Sequence, residues 1–96
     1  MRVLLKAQLD TEKTNESIRG GTMAKSMQSI MESLRPEAAY FTAEDGRRTA
    51  LIVFDMADSS EIPRIAEPFM QEFGAKIDLA PVMNGDDLAK GLGALG

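Results

Sequence analysis

Apolar residues recur at two different periods along this chain. Val3, Leu5, Ala7 and Leu9 alternate with Leu4, Lys6 and Gln8, the period-two signature of a half-buried strand. Two further strand-forming runs flank Asp45-Gly46 within 38–56. Asp-Gly suits the type I′ turn of a two-residue hairpin loop, because both positions need positive φ. That turn fixes a register in which Glu44 opposes Arg47, Thr42 opposes Thr49, Tyr40 opposes Leu51 and Ala39 opposes Ile52. One hairpin face then carries Ala39, Phe41, Ala43, Ala50, Ile52, Phe54 and Met56, with Arg48 at its tip. The other carries Ala38, Tyr40, Thr42, Glu44, Arg47, Thr49, Leu51, Val53 and Asp55. Alternation returns over 75–84, where Pro81 cannot donate to a ladder and predicts a sheet edge.

Between these strands the period becomes helical. Ile18, Met23, Met27, Ile30, Met31 and Leu34 predict one amphipathic helix, capped by Thr14 or Asn15 after a polar link at 11–15 and stopped by Pro36. Gly20-Gly21 falls inside it and predicts a frayed or bent first turn, or a close backbone approach to a ligand or partner. Ile62, Ile65, Ala66, Phe69, Met70 and Phe73 predict a second helix, capped within Asp58-Ser59-Ser60 and stopped at Gly74. Pro68 in its interior removes a donor and predicts a kink. Leu88, Leu92 and Leu95 predict a short C-terminal helix that is weak alone and needs a surface to dock on.

Strand, helix, hairpin, helix, strand is the order of the split βαβ arrangement. It implies one α+β, ferredoxin-like βαββαβ domain over 1–96, with a four-stranded antiparallel sheet and a docking segment at 84–96. Both crossover helices would cover the same sheet face. The open face would carry Leu4, Lys6, Gln8, Ala38, Tyr40, Thr42, Thr49, Leu51, Val53, Lys76, Ala80 and Val82, a mixture too apolar to leave in water.

Composition narrows the chemistry. Lys and Arg number 11 against 15 Asp and Glu, with no basic patch interleaved with aromatics, so neither nucleic acid nor a membrane surface is an expected partner. No apolar run approaches the ~20 residues of a transmembrane helix. The first residues read as a strand and not a leader peptide. Zero Cys fits the cytoplasm. Zero Cys and zero His leave no thiol chemistry, imidazole base or zinc site, so any activity is expected to use no metal and no cofactor.

The element order, the open face and the stretches 36–50, 66–69 and 81–84 resemble the dimeric α+β barrel superfamily, and within it a small family of bacterial proteins without an assigned function. The resemblance implies a homodimer joined through open sheet faces. The superfamily includes cofactor-free monooxygenases, muconolactone isomerases and haem-degrading enzymes, so the resemblance specifies fold and pairing and not one activity. Superfamily members with known chemistry commonly use His, Asn, Trp or haem in the cleft, and this chain has no His or Trp.

Six residues are candidates for ligand binding. Tyr40, Thr42, Thr49 and Asp55 share the open face, where a phenol and a desolvated carboxylate could serve a polar ligand or, equally, a dimer interface and a strand end. Glu44 and Arg47 read as a solvated cross-strand ion pair, or Arg47 and Arg48 as an anion-binding pair of arginines at a cleft mouth. Glu67 precedes Pro68 at an irregular helix site and could instead be solvated. Met23, Met27, Met31, Met56 and Met70 are expected beneath the helices, filling core or repacking around an apolar ligand. Two functions follow: a homodimeric small-molecule-binding protein, or a module whose only business is pairing.

Overall fold

A computed structural model of residues 1–96 carries the expected antiparallel sheet in the order β2-β3-β1-β4, with β1 Arg2–Gln8, β2 Ala38–Glu44, β3 Arg47–Asp55 and β4 Lys76–Pro81. The fold is α+β and ferredoxin-like. Asp45 and Gly46 have φ of 52° and 73°, as a type I′ turn requires, and the hairpin register is the one that turn dictates. Pro81 lies on the edge strand, opposite Val3.

The helices depart from the expectation. Asp10, not Thr14 or Asn15, is the first cap: its carboxylate accepts from the Lys13 amide at 2.9 Å and starts α1, Thr11–Arg19. The polar stretch 11–15, with no apolar stripe of its own, is therefore helix. Gly21 then adopts φ 76°, which ends α1, and a separate α2 runs Met23–Leu34. The single helix of the periodic reading is thus two, because its stripe continues by coincidence across a glycine break. Asp58 and Glu61 form a capping box at a 3-10 turn, Ser59–Glu61, that leads into α3, Ile62–Phe73. Arg64 and the amides of Ala57 and Asp58 hold the Glu61 carboxyl below its usual range.

The core lies between one sheet face and the helices. Phe54, Phe69, Phe73, Leu5, Ile52 and Ile65 are its largest fully buried side chains. Met56 is buried, Met23, Met27 and Met31 are half-buried, and Met70 is exposed, so four of the five methionines pack beneath helices and Met70 does not. The α3 helix continues through Pro68, whose ring flanks a shallow polar groove between α2 and α3 lined also by Ser29 and Ser33. Pro68→Ala restores a donor for the Arg64 carbonyl and is expected to raise stability by up to ~3 kcal/mol in chemical denaturation. A fall would mean that packing of the ring outweighs the lost hydrogen bond.

Thr14 is fully buried, and its hydroxyl has no hydrogen-bond partner. An orphaned buried polar group costs about 1–3 kcal/mol. Thr14→Val keeps the branched shape and removes the orphan, so the melting temperature is expected to rise. An unchanged or lower value would show that the hydroxyl is satisfied in solution.

The C-terminal helix α4, Gly85–Gly93, is well begun and uncovered. Asn84 and Asp87 form a capping box, and Arg2 anchors Asp87 at 2.9 Å. Leu88, Leu92 and Leu95 are nevertheless 46%, 57% and 84% exposed, so the segment does not dock on the rest of the chain. The radius of gyration, 15.2 Å, exceeds the ~13 Å of a compact 100-residue domain, as an outstanding arm requires.

Candidate functional site

Where the core thins, a cleft opens. Helix α2 seals the sheet at its C-terminal end with buried Ile30 and Leu34, but over the hairpin end it offers only the flexible, half-buried Met23 and Met27. In the sheet beneath, the small Ala50 opposes Phe41 in the register. Phe41 consequently stands 58% exposed on the helix-facing side, where a covered residue was expected. The resulting cleft has a volume of about 460 Å³ and is lined by Leu9, Met23, Met27, Phe41 and Ala50, together with Thr42, Arg48 and Thr49. Ligand sites typically span about 300–1,000 Å³.

Arg48 is the one charged side chain in that lining. It is half-buried and donates from Nη2 to Asn15 Oδ1 at 2.8 Å, bridging β3 to α1. Its guanidinium takes part in none of the five ion pairs. A second, smaller hollow of about 240 Å³ shares Arg48 and is lined also by Asn15, Ile18 and Arg19. Arg19 donates from Nε to the Asn15 carbonyl at 3.3 Å and likewise has no carboxylate partner. Two arginines thus converge on one asparagine.

The remaining candidates are dispersed. Thr42 and Thr49 border the cleft although alternation turns their side chains to the open face, and the Thr49 hydroxyl donates to the Arg47 carbonyl at 3.1 Å. Tyr40 is exposed on the open face, opposite Leu51. Asp55 is exposed at the far end of β3 and pairs with the N-terminal amine at 2.7 Å. Glu67 is exposed on α3 and lines no cavity. Glu44 pairs with Lys6, not with Arg47 as expected from their opposition, and this hydrogen bond raises the Lys6 ammonium above its usual value. The register puts Thr49 between those two side chains, which accounts for its burial on a nominally open face. Asn15 and Arg19 were missed by periodic reasoning because the first belongs to a stretch without an apolar stripe and the second to a helix end whose position depends on the glycine break.

No helix is long and apolar enough to cross a membrane, and no three acidic side chains converge as metal ligands would. No protein-family model matches the chain. No curated protein matches it either. Among solved structures it is similar to "De novo designed protein Ferredog-Diesel", at 9% identity over 84% of this chain and 85% of that one, with a TM-score of 0.49.

Proposed function

We propose that this protein works as a homodimer joined through its open sheet faces, each subunit holding a small organic molecule in the cleft between α2 and the hairpin. The cleft carries this reading: about 460 Å³ of mostly apolar lining, closed on one side by two methionines that can repack around a guest. Pairing is supported by the open face, where Leu4, Leu51, Val53, Ala38 and Ala80 adjoin in register without a helix over them. A cofactor-free monooxygenation or isomerisation in this cleft would use Arg48 to stabilise negative charge developing on the substrate.

A panel of small organic compounds screened by thermal shift tests the binding reading. A ligand at 100 times its Kd stabilises by about 2.7 kcal/mol, which raises the melting temperature of a domain this size by roughly 10–20 °C. Such a hit is expected in the native protein and should vanish in Met27→Trp, whose indole fills the cleft. A panel without hits would favour the pairing module, the reading that the uncovered leucines of α4 also support.

A further inference from the structure

Arg19 and Arg48, like most of the chain's cations, make no ion pair, but these two stand on either side of Asn15, and Arg48 borders the apolar cleft. A guanidinium has five N–H donors. The one side-chain hydrogen bond of Arg48, to Asn15 Oδ1, fixes its direction and leaves the other donors unused. A half-buried cation held in place beside an apolar cavity is complementary to an anion with an apolar body.

We propose that the cleft takes an amphipathic organic oxyanion. Its apolar body lies against Met23, Met27 and Phe41, and its carboxylate or phosphate accepts hydrogen bonds from Arg48, with Arg19 adding charge from the neighbouring hollow. This rests on the cleft being a ligand site, as proposed above, and adds the class of ligand. Phe41 and the two thioethers favour a flat aromatic body, since sulfur and ring edges make favourable contacts. Asn15 acts as a positioning residue: it holds Arg48 through its side chain and Arg19 through its carbonyl.

Isothermal titration of the full-length protein with 2-naphthoate, 2-naphthyl phosphate and the neutral 2-naphthylmethanol tests the assignment. At least one anion is expected to bind roughly tenfold or more tightly than the alcohol, the scale of a charge-assisted hydrogen bond. The stronger anion identifies the head group. In Arg48→Gln that preference should disappear, and Arg48→Lys should keep part of it. Arg19→Gln, on an exposed side chain where folding is not at risk, should weaken the anions alone. Equal affinity for anions and alcohol in the native protein, or a preference surviving both glutamine variants, would overturn the anion assignment and leave the cleft reading standing. No binding of any of the three compounds at millimolar concentration would overturn both.

Discussion

Val53→Glu is expected to separate the proposed dimer into folded monomers. Val53 lies on the open face between Leu4 and Ala38, and its diagonal neighbours Arg2 and Lys6 are already paired with Glu37 and Asp87 and with Glu44. In the separate subunit the new side chain reaches water, so the fold should survive and the circular dichroism should be unchanged. In a face-to-face dimer it would be buried without a partner, a situation that costs about 3–5 kcal/mol. Each 1.4 kcal/mol is a factor of ten, so the dimer should weaken by at least roughly a hundredfold. Sedimentation equilibrium at micromolar concentration should read twice 10.4 kDa for the native chain and 10.4 kDa for the variant. A native chain that sediments as a monomer would remove the pairing proposal altogether.

Removing residues 85–96 should weaken the dimer almost as much while leaving the isolated subunit nearly untouched. All nine residues of α4 are exposed on their own subunit, and its leucine stripe has no acceptor there. Gly91 and Gly93 cost the helix roughly 1 kcal/mol each, and nine residues are fewer than an isolated helix needs. Burying each leucine on a partner would return about 1.5–3 kcal/mol, which outweighs the glycines. The arm starts beside Arg2, at the end of the open face, so a second copy seated on that face is the nearest surface that could receive it. The truncated protein should melt at the native temperature when dilute enough to be monomeric, and lower at concentrations where the native chain pairs. A dimer constant unaffected by truncation would make the arm a free appendage.

Elements fixed by local chemistry were legible from residues alone. Asp45-Gly46 specifies its turn because few other pairs accept positive φ twice, and everything in the hairpin register follows from it. Pro81 assigns an edge through its missing N–H. The helix break was not legible as a break, since a glycine pair inside an apolar stripe fits a bend as well as two helices. The cleft was legible only in its parts. Methionines able to repack and an arginine at the hairpin tip could be named, but the space between them depends on how far α2 slides along the sheet. Periodicity says which face of a helix is buried and not which end. Arg19 meets Arg48 for the same reason: Asn15 brings them together across 29 residues of sequence, a juxtaposition made by tertiary packing. Tyr40, Asp55 and Glu67 were reasonable by residue type, and all three are exposed and absent from the cleft lining.

Native mass spectrometry of the protein taken directly from its cells tests the paired, ligand-holding state in one spectrum. The expected species is a dimer of twice 10.4 kDa carrying one small-molecule adduct per subunit, with the adduct absent from Met27→Trp. Bare 10.4 kDa monomers, or an adduct indifferent to the filled cleft, would contradict it.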